Sequence, residues 1–174
     1  MRDKSVHRLV LTAVFIALTT IATMVIHVPL PATSGFLNFG DVVIFVSAIL
    51  AGPQVALLAG GVGSALADLF LGYAYYAPYT LVVKGLEGLV AGLLAWGMFR
   101  GGRARLIRGI LGLILGAAVM VAGYYVAGGI MYGFEVSWME IPYNLLQGYV
   151  SAGVALILGL ILSRILKKNS PEEE

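Results

Sequence analysis

The sequence predicts an all-α integral membrane protein with six transmembrane helices and both termini cytoplasmic, and three observations carry that expectation. Hydrophobic residues make up 60% of the 174-residue chain and charged residues 11%, with mean hydropathy +0.94, far from the balance of soluble domains. Apolar runs close to the length that crosses hydrocarbon, about 20 residues, recur from one end of the chain to the other. Lys and Arg fall almost wholly into three clusters that six crossings bring to a single side.

In order, the candidate spans are His7 to Ile26, Phe39 to Ala51, Gln54 to Leu71, Tyr79 to Phe99, Ile107 to Met131 and Trp138 to Leu166. The first has a basic start, but its apolar run exceeds a signal-peptide core and no A-x-A site follows, so it reads as an anchor. The second is short. It either tilts, stops below the surface, or runs into the third through the Gly52-Pro53 corner, since Pro starts a helix well and cannot continue one. The whole of 1–174 reads as one transmembrane domain, with 1–6 and 167–174 as cytoplasmic ends.

Arg2, Lys4 and Arg8 precede the first span; Arg100, Arg103, Arg105 and Arg108 separate the fourth from the fifth; Arg164, Lys167 and Lys168 close the sixth. The positive-inside rule assigns that side to the cytoplasm. Lys84, within the fourth span, is the one basic residue left over. The opposite loops, His27 to Asn38, Gly72 to Pro78 and Tyr132 to Ser137, contain no Lys or Arg but are rich in aromatic rings. Such rings favour headgroup depth. An aromatic belt would also enrich the basic side, where only Trp96 and Phe99 stand, so some outer rings are expected to cover a ligand.

Several chemistries are excluded. There is no cysteine, hence no disulfide, thiol nucleophile or Cys-based metal site. His7 and His27 lack metal-ligand spacing, and neither a Walker A motif nor a Ser with a nearby His base occurs. The GGVGSALAD run at 60–68 has no strand before it, so it is no dinucleotide fingerprint. No catalytic residue, metal or cofactor is expected, and a formal charge of +2 does not point to nucleic acid.

The stretch DLFLGYAYYAPYTLVVKGLE, 68–87, organises the rest, because it carries three ionisable side chains through surroundings almost free of charge. An ionisable residue inside a membrane segment is a functional-site hypothesis by default. Lys84 lies about 8 Å below Tyr79, and Asn144 about 9 Å below Trp138, at 1.5 Å rise per residue, so polar groups of two helices meet at one depth. Glu87 and Gln147 match one turn lower. Lys84 and Glu87, three apart, can touch on one face, either as a self-neutralising pair or as part of a ligand site. Asp41 reads as an N-cap of the second helix, and Asp68 as either a ligand contact or an ion-pair partner of Lys84. The expected substrate-binding set is Asn38, Asp68, Tyr73, Tyr75, Tyr76, Tyr79, Lys84, Glu87, Trp138, Glu140, Asn144 and Gln147.

Small residues recur at spacing four: Ala13 and Ala17, Gly88 and Gly92, Gly112 and Gly116, Ala155 and Gly159. That spacing clears one helix face for close approach of another. Internal packing accounts for most of these pairs, while Ala13 and Ala17 are placed where a partner protein could dock.

Three stretches, VPLPATSGFLNFGDVVIF, AGPQVALLAGGVGSALADLFLGY and APYTLVVKGLEGLVAG, resemble the substrate-binding S components of energy-coupling factor (ECF) vitamin transporters. They look like that family's pyridoxine- and hydroxymethylpyrimidine-type branch, often grouped under a riboflavin-transporter label. The likeness spans nearly the whole chain, and Ala13 and Ala17 meet the family's A-x-x-x-A signature. It implies a multi-pass protein of the prokaryotic cell membrane, without enzymatic activity, that captures a water-soluble vitamin and hands it to a transmembrane coupling subunit and two cytoplasmic ATPases. The resemblance places the site in the outer halves of helices four to six and the first outer loops, and gives Ala13 and Ala17 to the coupling subunit. B6 vitamers and hydroxymethylpyrimidine lead as substrates, with riboflavin close behind. The outer turn GYAYYAPY and Lys84, where some relatives have His, depart from the B6-like pattern. Two other readings stand beside this one: a self-sufficient transporter driven by protons through Asp68 and Glu87, and a non-transporting structural subunit.

Overall fold

The computed structural model describes residues 2–29 and 36–168, with side chains described from 5 to 166. Within them the chain is a bundle of six principal helices. Helix α1 spans Arg2–Val25, and two short antiparallel strands, β1 (His27–Pro29) and β2 (Phe36–Asn38), pair with His27 opposite Asn38. Helix α2 is Gly40–Leu50. Helix α3 covers Pro53–Leu71 and contains a π-helical stretch at Ala59–Gly63. Helix α4 is Ala77–Ala95 and α5 is Arg103–Tyr132. A short turn of helix at Phe134–Ser137 and a 3-10 turn at Trp138–Glu140 lead into α6, Ile141–Lys168.

Five of these segments are long and apolar enough to cross a membrane; α2, at 11 residues, is not. Its shortness has a structural cause. The expected span at Phe39 to Ala51 does not run on into the third: Gly52, at φ +92°, breaks the helix, and Pro53 opens α3 at its first turn. At its other end β2 descends into the bundle, and α2 begins beside Lys84, seven residues or about 10 Å into α4. Non-helical backbone is tolerated at such depth only when buried in protein or lining a cavity. Both apply here, and the space left above the truncated α2 becomes the cavity described below.

Buried on every side, α2 is the axis of the bundle. Phe45, Val46, Ala48 and Ile49 form one buried cluster with Ala56 on α3, Ala91 and Ala95 on α4, Leu113 and Ala117 on α5, and Ala152 and Ala155 on α6. So many alanines at the core bring the helix backbones close, as lipid supplies no hydrophobic drive for association. Glycines do the same: a Cβ on Gly92 would stand 2.5 Å from Pro53 Cα, one on Gly112 2.5 Å from Leu94 Cβ, and one on Gly159 2.9 Å from Ile49 Cδ1. The internal-packing expectation for these pairs holds. Ala13 and Ala17, by contrast, are exposed on a helix whose outward face also shows Leu9, Val10, Val14 and Leu18.

The hairpin is the main departure from the sequence reading, which treats His27 to Asn38 as loop throughout. Helix boundaries shift by a few residues, most at the start of α1, which begins at Arg2 rather than His7, and at the start of α5, which takes in Arg103 and Arg105.

Candidate functional site

Lys84 is brought to the bundle axis because α4 must place Gly85, Gly88 and Gly92 against α3 and the Gly52-Pro53 corner, which fixes its rotation. Its ammonium contacts Asp41 Oδ1 and lies 3.1 Å from Glu87 Oε2, and none of the three side chains is more than 1% exposed. It also sits 5.6 Å from the centroid of the Tyr124 ring, within cation-π range. Asp41 is therefore not an N-cap: Phe39 holds that position without a side-chain hydrogen bond. Of the two alternatives for Asp68, the ion pair with Lys84 does not form, Asp41 and Glu87 being the partners of that ammonium, and Asp68 lines the cavity.

From Asp41 the network continues to the hairpin. Gln147 on α6 donates Nε2–H to Asp41 Oδ2 at 2.8 Å and accepts the backbone N–H of Asn38 at 2.8 Å. Asn38 Oδ1 in turn accepts the backbone N–H of Gly40, at 2.9 Å. One amide thus ties β2, the start of α2 and α6 to a buried ion pair. Every polar atom so engaged offsets the desolvation that isolates it.

Above this floor is a cavity of about 30 Å³, or about 480 Å³ counting all space out to its mouth. Of the expected binding residues, Asn38, Asp68, Tyr76, Lys84, Glu140, Asn144 and Gln147 line it. Glu87 lies behind Lys84 and away from the void. Tyr73 and Tyr75 belong to the cover instead: rings follow one another from His27 through Phe36, Tyr73, Tyr75 and Tyr76 to Tyr132 at centroid separations of 4.9 to 6.5 Å. Tyr79 faces a lateral apolar groove between α4 and α5. Trp138, 66% exposed, stands edge-on to Tyr125 away from the void.

The lining also includes residues that the sequence reading passes over: Thr23, Phe36, Ser64, Thr80 and Tyr124. Tyr124 donates to Thr80 Oγ1 at 3.2 Å. Small hydroxyl residues are routine in membrane helices, so nothing local distinguishes Thr23, Ser64 and Thr80. Asp41, missed as a site residue, had a signal in being an acid next to an apolar run.

A floor of charge-paired and amide groups, walls of hydroxyls and carboxylates, and a cover of aromatic rings make a polar cavity inside a bundle of apolar helices. Comparison with known proteins gives the chain a family. The profile of the ECF-type riboflavin transporter S component matches residues 3–164, and the chain belongs to that family. It is 30% identical over 165 residues to the thiamine precursor transporter HmpT of Lactococcus lactis subsp. cremoris, covering 94% of this chain and 92% of that one. An uncharacterized protein of Pyrococcus woesei is 42% identical over 149 residues, 86% of this chain and 94% of the relative. The chain is accordingly a multi-pass membrane protein and a component of a vitamin transporter.

Proposed function

We propose that this chain captures a single-ring, amine-bearing vitamin precursor or B6 vitamer on the outer face of the membrane. It then passes the molecule to a transmembrane coupling subunit and two cytoplasmic ATPases. The observation that carries the reading is the Lys84–Asp41–Gln147 floor beneath an aromatic cover. Gln147 and Asn144 offer both donors and acceptors, and Asp68 and Glu140 add carboxylates, so acceptors outnumber donors. A flat ring with an exocyclic amine and a hydroxymethyl group supplies the missing donors and stacks on tyrosine.

Size supports the same choice. The void at rest is far below the roughly 300–1,000 Å³ of small-molecule sites, so a ligand must displace the hairpin and the Tyr76 ring, and one ring asks less displacement than three. The name of the relative HmpT favours a pyrimidine; the family's name favours riboflavin. The positive-inside rule puts Arg100 to Arg108 in the cytoplasm, which turns the cavity outward. The exposed Ala13 and Ala17 fit a surface for the coupling subunit.

Calorimetric titration of the purified protein with hydroxymethylpyrimidine, pyridoxine and riboflavin tests the proposal. Tight binding of a single-ring ligand is expected. Preference for riboflavin would overturn the ring-size argument, and affinity no better than millimolar for all three would remove vitamin capture altogether. Uptake into vesicles by this chain alone, abolished by a protonophore, would favour the self-sufficient transporter instead.

A further inference from the structure

Hydroxyls of membrane helices ordinarily donate to a carbonyl one turn back, since hydrocarbon offers no other partner. Thr12 bonds Arg8 O at 2.8 Å and Thr20 bonds Ile16 O at 2.9 Å, while Ser47 and Ser163 bond carbonyls three residues earlier. Thr19, Thr23 and Ser64 do not. All three are at most 3% exposed, and their oxygens have no hydrogen-bond partner; the same is true of Asp68 Oδ2.

These four oxygens are not scattered. Thr19 and Thr23 lie one turn apart on α1, and Ser64 and Asp68 one turn apart on α3, so each pair shares a helix face. Thr23, Ser64 and Asp68 line the same cavity. Thr19 is outside that lining, one turn before Thr23, with its Cβ 2.8 Å from where a side chain on Gly63 would begin.

Charge points to what is missing. Lys84 is engaged by Asp41 and Glu87, and among the described residues no Lys, Arg or His lies within 4.0 Å of Asp68. An all-oxygen donor set suits a hard cation. With one carboxylate and no His, Cys or acid cluster of metal-binding size among the described residues, the set is too weakly charged for a divalent ion. The void of about 30 Å³ is the same cavity whose floor is Lys84; empty of vitamin it holds about two water-sized bodies, room for a small ion and one water.

We infer that Thr23, Ser64 and Asp68, backed by Thr19, form a sodium site between α1 and α3. The inference rests on the placement of these oxygens, and Asp68 is shared with the wall of the vitamin cavity.

Thermal unfolding of the full chain in detergent, in sodium, potassium and choline chloride at equal ionic strength, tests it. Sodium should raise Tm by roughly 3–8 °C in a saturable way, as expected for a ligand that binds only the folded state. Ser64→Ala and Asp68→Asn should abolish that increment, while Thr12→Val, which removes a back-bonded hydroxyl, should keep it. Should either site variant fail to fold, equilibrium dialysis of the unaltered protein against radiolabelled sodium decides, with one ion per chain expected. Equal Tm in the three salts with no sodium retained would overturn the inference. So would stabilisation that follows pH alone in choline, since Asp68 would then be neutralised by a proton. Vitamin titrations in the same salts keep the two readings apart: unchanged binding in choline without sodium retention sinks the ion site and spares vitamin capture, and the converse result does the reverse.

Discussion

Lys84 holds two carboxylates in a place where neither could stand alone. Replacing it with Ala leaves Asp41 and Glu87 buried without a counter-charge, and loss of one partner of a buried ion pair costs about 3–5 kcal/mol. We therefore expect Lys84→Ala to lower the unfolding midpoint in detergent strongly. The triple change Asp41→Asn, Lys84→Met, Glu87→Gln should recover most of the loss, because no unpaired charge remains. Gln147 plays a different part, bridging the floor to β2. Gln147→Ala should weaken ligand binding by about 1–3 kcal/mol, the cost of leaving hydrogen-bonding groups unpaired, as read by calorimetry. The Lys84–Glu87 contact was legible in the sequence, because three residues along one helix is a fixed distance. Asp41 was not: its partners lie 43 and 106 residues away, and capping is the commonest local role for an acid at a helix start. Rotation was equally hidden. Trp138 and Glu140 are two apart, and the turn that exposes one to 66% buries the other to 4%. Helices apolar all round carry no periodicity that would reveal such a phase.

The elements approach one another through glycine, and their substitution should sort by what a methyl group meets. Gly92→Ala drives a Cβ into Pro53 backbone at 2.5 Å, whereas Gly153 has nothing within 4 Å. Overpacking costs about 1–3 kcal/mol, so Gly92→Ala should lower Tm by several degrees. Gly153→Ala should be neutral or stabilising by up to about 1 kcal/mol, the gain in helix propensity. Spacing four marked Gly92 as an interface position beforehand. The β hairpin, in contrast, escaped sequence reading, since prolines at 29 and 31 argue against paired strands. Three-residue strands are set by docking on the bundle rather than by their own propensity.

At the scale of the molecule, orientation and partnership are open to a direct check, because the chain has no cysteine. Single cysteines at Tyr75 and Arg103, both exposed, should report opposite faces in intact cells: an impermeant thiol reagent should label the first at once and the second only after permeabilisation. Ala13→Trp adds bulk to an exposed face of α1 and should leave vitamin binding unchanged. In cells with the coupling subunit and ATPases, it should reduce uptake at least tenfold, as measured with radiolabelled substrate.

The central helix has a property that neither its length nor its burial states outright. Asp41 near its start touches the ion pair, and its far end is pinned where Ile49 O accepts the backbone N–H of Gly97 at 3.0 Å, beside a Trp96 ring that lies on Gly52. A close-packed rod resists compression, so a push on its head arrives at its foot, about 16 Å away at 1.5 Å per residue. A ligand that pressed on the floor would load the far end of α2 at Ile49 and Gly97. Trp96 is placed to register it: with Trp138 replaced by Phe, indole emission should still change on loading.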